Sequence, residues 1–238
     1  MIGMRYLGSK ARHARYIVPF IMNEMRHNSM YCEPFVGGAN VLSEIPDIGL
    51  RLGVDINPYI IALLKKLSLD WKPPEHVSEE EYRKVKANPH HYDSEIVGYC
   101  GTQCSYGSTW FGGYARGKDG HGNPRDFPNE AYRNCVAQSE RLRGAEFMCL
   151  DYRNIGLNIE SIIYCDPPYE GTIGYMDGRF DSHLFWRWAA QMSDAGHKVF
   201  VSEFTAPSGW RAVWSKETAG FHPGRGPRPT ENLFVREP

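Results

Sequence analysis

The strongest constraint on the fold is an alternation of apolar, strand-like runs with helix-like segments. It is clearest between residues 40 and 68 and between residues 161 and 204. Strands separated by helices predict an α/β fold with a mostly parallel sheet and helices on both faces. The candidate strands are residues 30–35, 51–56, 146–150, 161–166, 198–204, a weak 211–214 and 232–237, and the candidate helices are 11–25, 58–67 and 182–195.

The pattern changes between residues 71 and 144. Ser78 and Glu81 form a capping box, which predicts a short helix at that point. A stretch rich in glycine, aromatic residues and arginine follows over residues 98–128, and a further helix is predicted from about 129 to 142. This block cannot continue the sheet, so we interpret it as an insertion into the α/β domain.

Bulk properties indicate a soluble, cytoplasmic protein. The 238 residues contain no apolar run long enough to cross a bilayer, and the charged N-terminal residues are unlike a signal peptide. The six cysteines favour buried free thiols over disulfides. Cys100 and Cys104, with His90 and His91 upstream, lack the spacing of a zinc site, so no metal is predicted.

The formal net charge of −1 is unevenly distributed. Basic residues predominate at both ends of the chain and acidic residues in its middle. A local basic face is what matters for contact with a polyanion, although charge alone favours an ordinary mixed surface. The basic residues concerned are Arg5, Lys10, Arg12, Arg15 and Arg26 near the N-terminus and Arg211, Lys216, Arg225, Arg228 and Arg236 in the tail.

A strand and turn at residues 31–41, YCEPFVGGANV, have features of a nucleoside site. At Gly37 and Gly38 a ligand can approach the backbone closely, but the spacing is not GxGxxG and fits a dinucleotide poorly. Asp55 ends the next strand, where an acid accepts hydrogen bonds from ribose hydroxyls. These residues favour a nucleoside without phosphate, such as S-adenosylmethionine, while Asp55 is also a candidate helix N-cap.

The stretch YCDPPY, residues 164–169, places an acid and two prolines at the end of another strand. The Asp166 carboxylate and the Pro167 carbonyl can accept both protons of a planar amino group, with Pro168 fixing the backbone beyond them. This positions the nitrogen lone pair for attack on a methyl carbon without a strong base. Tyr169 would stack on the ring that carries the amine. The competing interpretation is an ordinary strand-to-loop exit.

Five motifs in order resemble the Dam-like DNA adenine methyltransferases of the alpha arrangement. They are YLGSK (6–10), EPFVGGANV (33–41), VDIN (54–57), LDY (150–152) and YCDPPY (164–169). The stretches CSYGSTWFGGYAR and RPTENLFV are similar to phage members. The resemblance implies a Rossmann-like S-adenosylmethionine-dependent methyltransferase domain, residues 1–70 and 145–238, with an inserted, mostly helical DNA-recognition subdomain, residues 71–144.

The resemblance also implies roles for individual residues. The cofactor set comprises Tyr6, Gly8 and Lys10 at its methionine end, Glu33, Phe35 and Gly37 in the glycine-rich loop, Asp55 and Ile56 at the ribose, Asp151 and Tyr152 near the adenine, and Asp166. The catalytic set is Asp166, Pro167, Pro168 and Tyr169. Three of these have simpler explanations: Lys10 as a solvated helix residue, Phe35 as core and Asp151 as a turn cap.

The insertion has a composition suited to nucleic acid, because aromatic residues alternate with basic ones. Tyr106, Tyr114, Arg116, Lys118 and Arg125 are the predicted DNA-binding residues. A small aromatic core beneath a loop is the alternative. We expect both, with Tyr106, Trp110 and Phe111 partly buried and the basic side chains facing DNA.

The sequence therefore predicts a monomeric or weakly dimeric enzyme that methylates the 6-amino group of an adenine flipped from double-stranded DNA. Cytosine in DNA or guanine in ribosomal RNA is an alternative substrate, because DPPY alone would permit either. A phage-type DNA-binding protein without turnover is a further alternative, against which the intact DPPY and Asp55 argue.

Overall fold

The sheet predicted from the sequence is present in the computed structural model, which describes residues 3–26, 29–47, 49–169, 180–217 and 229–236. Seven strands form one sheet in the order β3-β2-β1-β4-β5-β7-β6. Neighbours among the first five are parallel, whereas β7 is antiparallel to both β5 and β6. The strands are β1 Met30–Glu33, β2 Arg51–Asp55, β3 Ala145–Cys149, β4 Ser161–Cys165, β5 Lys198–Glu203, β6 Trp210–Glu217 and β7 Thr230–Arg236.

Several helices begin at a side-chain cap. Asn57 caps the helix that follows β2 by accepting bonds from the N–H groups of Tyr59 and Ile60, and Pro58 opens its first turn. The predicted capping box of Ser78 and Glu81 is also formed. The helices are α1 Ala14–Glu24, α2 Pro58–Ser68, α3 Glu79–Ala87, α4 Ser94–Gly98, α5 Phe127–Leu142 and α6 Ser182–Asp194.

The strand order creates a crevice at the carboxyl edge of the parallel strands. From β1 the sheet extends through β2 and β3 on one side and through β4 and β5 on the other. The direction in which strands are added therefore reverses between β1 and β4. Ligands of open α/β sheets bind outside the carboxyl ends of the strands at such a switch point. The architecture is therefore an α/β, Rossmann-like fold, as the sequence predicted.

The antiparallel strand β7 brings its own first residues to the same edge. Glu203, the last residue of β5, pairs with Asn232 near the beginning of β7. Residues that open β7 consequently lie beside the carboxyl ends of the parallel strands. This topology places Glu231, a residue far away in sequence, next to the loops after β1 and β4.

Two hydrophobic clusters cover the sheet. One contains Ile17, Ile60, Leu64 and Phe147, and the other contains Cys32, Ile163, Phe185 and Trp188. The segment 71–144 contributes α3, α4 and α5 and adds no strand to the sheet. Its buried residues Val97 and Tyr99 belong to the first cluster. The segment thus shares a hydrophobic core with the sheet and with α1 and α2.

Five of the six cysteines are buried, Cys149 is exposed, and all six are unbridged. Within the described part of the chain, no helix is long and apolar enough to cross a membrane. The predicted basic residues Arg225 and Arg228 lie outside the described residues.

Candidate active site

Asp166, which follows β4, is held by an N-terminal lysine. The Lys10 Nζ atom lies 2.7 Å from Asp166 Oδ1 and donates to the Gly8 carbonyl at 3.3 Å. Only 8% of Lys10 is exposed, so it is not a solvated helix residue. Burial raises the pKa of Asp166, and the Lys10 charge opposes that rise. The Lys10 ammonium thus favours the ionised form of a carboxylate that burial alone disfavours.

The remainder of the DPPY tetrapeptide lies directly against this pair. Pro167 is buried, and Pro168 and Tyr169 are partly buried. The Lys10 ammonium lies 4.7 Å from the centre of the Tyr169 ring, and Phe204 packs against the same ring in a T-shaped arrangement at a centroid distance of 4.7 Å. The ring of Tyr169 is thus held by two contacts.

Glu33, which ends β1, is a second carboxyl group near Asp166. It is 2% exposed and accepts a hydrogen bond of 2.6 Å from the Tyr31 hydroxyl. Burial raises the pKa of Glu33 to about 8. At neutral pH the side chain is consequently protonated, so Asp166 has a neutral neighbour on this side.

The glycine loop after β1 is shaped by Tyr6. Gly37 has a φ of +46°, and a Cβ atom at this position would lie 2.7 Å from the Tyr6 ring. Both observations require glycine here. The loop is also tied to the N-terminal segment, because the buried Asn40 amide donates to the Met4 carbonyl at 3.0 Å and to Ser9 Oγ at 2.9 Å.

Asp55, at the end of β2, joins the glycine loop to α2. One carboxylate oxygen accepts the Gly37 N–H at 3.0 Å and the other accepts the Asn57 N–H at 2.9 Å. The N-cap of α2 is Asn57 rather than Asp55. Desolvation raises the pKa of Asp55. The Ile56 N–H also bonds to this carboxylate, which has about four lone-pair sites and so keeps capacity to accept a hydrogen bond from a ligand.

The neighbouring residue, Ile56, is 57% exposed. An exposed isoleucine beside an acid at the strand edge offers an apolar contact for the face of a ring bound there. The Cys149 thiol donates to the Ile56 carbonyl at 3.6 Å, which links this residue to β3. Ile56 and Asp55 therefore suit the two parts of a nucleoside, its base and its ribose.

Phe35 and Tyr152 belong to an aromatic cluster on the other side of the crevice. Their ring centroids are 5.1 Å apart, and both rings also contact Phe180 and Phe185. Tyr152 is buried and Phe35 is partly buried. The core interpretation of Phe35 thus describes its packing, while its partial exposure leaves one part of the ring available at the edge.

Asp151 caps the turn before Tyr152, as the simpler interpretation of the sequence proposed. Its carboxylate accepts from the Arg153 backbone N–H at 2.9 Å and from the Arg153 guanidinium at 2.8 and 2.7 Å. Arg153 holds the pKa of Asp151 below its usual value. A role for Asp151 toward a cofactor remains a prediction.

The predicted DNA-binding residues lie in the loop between α4 and α5. Tyr106 is 66% exposed, so the expectation that it is partly buried was wrong; its ring faces solvent because the turn at Gly107 and Ser108 has positive φ angles. Tyr114 packs on Tyr82 and donates to the Val77 carbonyl at 2.7 Å.

The basic side chains of this loop are exposed, as expected. Arg116 pairs with Glu79, and Arg125 pairs with Glu130 and lies over the Phe127 ring at 4.4 Å. Beneath them, Phe111 is buried and Trp110 stacks on Tyr59 of α2 at 5.6 Å. An aromatic core under an exposed basic loop is therefore present.

Two residues at this site were missed by the sequence reasoning. Glu231 of β7 lies 3.8 Å from the Lys10 ammonium, and His13 Nδ1 lies 2.9 Å from the other Glu231 carboxylate oxygen. The only sequence signal was the motif RPTENLFV, which does not indicate a site by spacing. In the described ranges, no group of three or more His, Cys, Asp or Glu side chains could hold a metal ion.

Comparisons with known proteins agree with the motifs. The family described as D12 class N6 adenine-specific DNA methyltransferase has a model that matches residues 6–96. A relative from Escherichia coli, the Retron Ec67 DNA adenine methylase, is 28% identical over 201 residues, covering 71% of this chain and 67% of the relative.

Solved structures were compared as well. A Haemophilus influenzae protein described as a methylase is 11% identical, with a TM-score of 0.36 and coverage of 94% of this chain and 88% of that one. A protein described as a methyltransferase in complex with SAH is 12% identical, with a TM-score of 0.42 and coverage of 95% and 52%. The fold assignment above depends on the strand order.

Proposed function

Since the chain belongs to the Dam-like N6-adenine DNA methyltransferases, we propose that Asp166 and the Pro167 carbonyl hold the 6-amino group of an adenine flipped from duplex DNA. The observation that carries this proposal is the Lys10–Asp166 pair at the carboxyl end of β4, next to the glycine loop. It is a partly buried acceptor held by a cation at the switch point of the sheet.

S-adenosylmethionine is the methyl donor of this family, and the residues at the edge fit it. Asp55 retains acceptor capacity for the ribose hydroxyls, Ile56 offers an apolar contact for the adenine ring, and the Cβ-free Gly37 leaves the backbone accessible. We assign the methionine end to Lys10 and Tyr6, because Lys10 pairs with Asp166 and Tyr6 lies against Gly37. When bound, S-adenosylmethionine supplies an electrophilic methyl group.

The protein's own part in the reaction is to position and polarise the amine. Two acceptors on one side of the amino group draw its lone pair out of conjugation with the ring, which makes the nitrogen a better nucleophile. As the nitrogen gains positive charge, the Asp166 carboxylate stabilises it. Once methylated, the nitrogen carries one proton too many, and that proton passes to the Asp166 carboxylate, to which it is already hydrogen-bonded. The Tyr169 ring keeps the base in place by stacking.

DNA binding is assigned to the exposed loop of the segment 71–144, which we propose as the target-recognition subdomain. Arg116, Lys118 and Arg125 suit phosphate contacts, and the exposed Tyr106 suits stacking on a base. Tyr114 supports the loop from below through Val77.

The direct test is incubation with tritiated S-adenosylmethionine and unmodified duplex DNA, followed by digestion to nucleosides. Label is expected in N6-methyladenine, and label in methylcytosine, or in ribosomal RNA in preference to DNA, would overturn the proposal. Asp166→Asn should lower kcat by several orders of magnitude with a modest loss of DNA affinity, because it removes an interaction made mainly in the transition state. Asp70→Asn, a change at an exposed residue, is the matched control.

A further inference from the structure

The Lys10 ammonium lies between two carboxylates rather than beside one. It is 2.7 Å from Asp166 and 3.8 Å from Glu231, so it bonds to the first and only approaches the second. Glu231 is 4% exposed, and the oxygen that points to Lys10, Oε1, has no hydrogen-bond partner. A buried carboxylate oxygen without a partner is costly, which indicates that its partner arrives in another state of the site.

The position of Glu231 is fixed independently of Lys10. His13 Nδ1 lies 2.9 Å from Glu231 Oε2, and the His13 ring packs against Trp214 of β6 at a centroid distance of 5.7 Å. The antiparallel pairing of β7 with β6, in which Glu231 lies opposite Lys216, fixes the backbone. Glu231 is therefore a rigid anion toward which a flexible lysine can move.

We propose that Glu231 is a positioning residue that takes the Lys10 ammonium from Asp166 when the substrate amine arrives. The inference rests on the proposed function of Asp166. A shift of the ammonium by about 1 Å is enough to change the 3.8 Å approach into a charge-assisted hydrogen bond.

The transfer of the Lys10 ammonium to Glu231 removes a competition between Lys10 and the substrate amine for Asp166. The same carboxylate must be kept ionised in the free protein and must accept the amine during the reaction. A lysine bonded only to Asp166 would occupy one of its oxygens and weaken it as an acceptor. With Glu231 as the second anion, Lys10 stays close enough to favour the ionised form while its hydrogen bond is transferred.

Other groups around Asp166 do not replace Glu231 in this role. The charged or titratable groups that act on Asp166 are Lys10, Glu231 and the phenol of Tyr169, which is hydrogen-bonded to it. Glu33 from β1 and the phenol of Tyr164 lie nearby. Glu33 is protonated at neutral pH, and Tyr164 is bonded to Ser202 at 2.8 Å. Glu231 is thus the carboxylate available to receive the cation.

The test compares Glu231→Gln, Lys10→Met and the double variant, with the free S-adenosylmethionine and DNA affinities measured alongside kcat. Glu231→Gln keeps an acceptor for His13 and removes the charge. We expect kcat to fall by about tenfold or more while both affinities change by less than about twofold. Because Glu231 acts through Lys10, the Glu231→Gln change should have less than about a twofold effect on kcat in the Lys10→Met background.

A pH profile separates this role from a merely structural one. Without the Glu231 charge, Lys10 acts on Asp166 alone, so the acidic limb of kcat should move to lower pH by about half a unit or more. Glu231→Asp, which restores the charge, should return the limb part of the way. Additive losses in the double variant, or an unshifted limb, would overturn the inference. If Glu231→Gln does not fold, Glu231→Asn, which also removes the charge, should shift the limb in the same direction.

The inference and the proposed function fail in different ways. Absence of methyladenine with the unaltered protein refutes the function. The carboxyl carbon of Asp166 can be titrated by ¹³C NMR without any substrate, with Asp166→Asn used to assign its resonance. Its midpoint should be lower in Glu231→Gln than in the unaltered protein, and equal midpoints would refute the role of Glu231 whether or not the protein methylates DNA.

Discussion

Replacing Glu33 by glutamine tests the electrostatics of the site through stability. Burial raises the pKa of Glu33 to about 8, whereas glutamate in an unfolded chain titrates near 4.3. Between those values the folded protein binds a proton that the unfolded chain does not. The free energy of unfolding therefore decreases as pH rises through this range and levels off above about 8, by linkage. Glutamine carries no proton to lose, so the variant lacks this decrease.

The size of the effect follows from the slope. One bound proton changes the free energy of unfolding by about 1.4 kcal/mol per pH unit. Between pH 6 and pH 8 the unaltered protein should lose about 2 to 3 kcal/mol more than Glu33→Gln, after allowing for partial ionisation near pH 8. For a chain of this length that corresponds to roughly 5 to 10 °C in Tm.

The assay is urea unfolding of both proteins at pH 6 and pH 8, followed by tryptophan fluorescence. Histidines and other groups titrate in both proteins, so only the difference between them reports on Glu33. Glu146→Gln, at an exposed position of β3, is the control and should follow the unaltered protein at both values. Equal losses of stability in the unaltered protein and in Glu33→Gln would refute the assignment of a neutral Glu33.

Other predictions concern the loop, the scaffold and the DNA surface. Gly37→Ala should weaken S-adenosylmethionine binding by about tenfold or more in calorimetry, because the Cβ meets the Tyr6 ring. Gly156→Ala, where a Cβ meets nothing within 4 Å, is the control and should bind normally. Equal affinities of the two variants would contradict the steric argument. Arg51→Met should lower the free energy of unfolding by about 3 kcal/mol, since it leaves one buried and two partly buried carbonyls without their donor, and a loss below about 1 kcal/mol would contradict this. Tyr106→Ala should weaken DNA binding in fluorescence anisotropy by about 1 to 3 kcal/mol, and unchanged affinity would exclude stacking.

The sheet was predictable because its signals are local. Apolar runs, an N-cap at Asn57 and a capping box at Ser78 act within a few residues of themselves, and each formed where the sequence placed it. Even the weak strand at 211–214 formed, as part of β6. What the sequence could not give was the antiparallel placement of β7 between β5 and β6, because strand order is decided by packing of the whole sheet.

In the site, too, the residues with local sequence signals were predictable and their long-range partners were not. Asp55, Gly37 and Asp166 were predictable, because the end of a parallel strand is visible in the sequence and such ends meet at one edge. The partners of these residues were not, since Lys10 meets Asp166 across 156 positions of the chain and Glu231 joins them only through β7. The exposure of Tyr106 was missed for a related reason, because composition does not specify a turn with positive φ at Gly107 and Ser108.

The geometry also explains why an enzyme of this kind needs more than one acid around a single lysine. With Asp166 alone, burial would raise the pKa of the carboxylate unopposed, and with Lys10 alone beside it the hydrogen bond from the ammonium would compete with the amine. Keeping Glu33 neutral avoids a further negative charge, and keeping Glu231 anchored by His13 supplies a second place for the cation. The carboxylate is thus kept charged without being fully occupied, which is the state that a positioned amine requires.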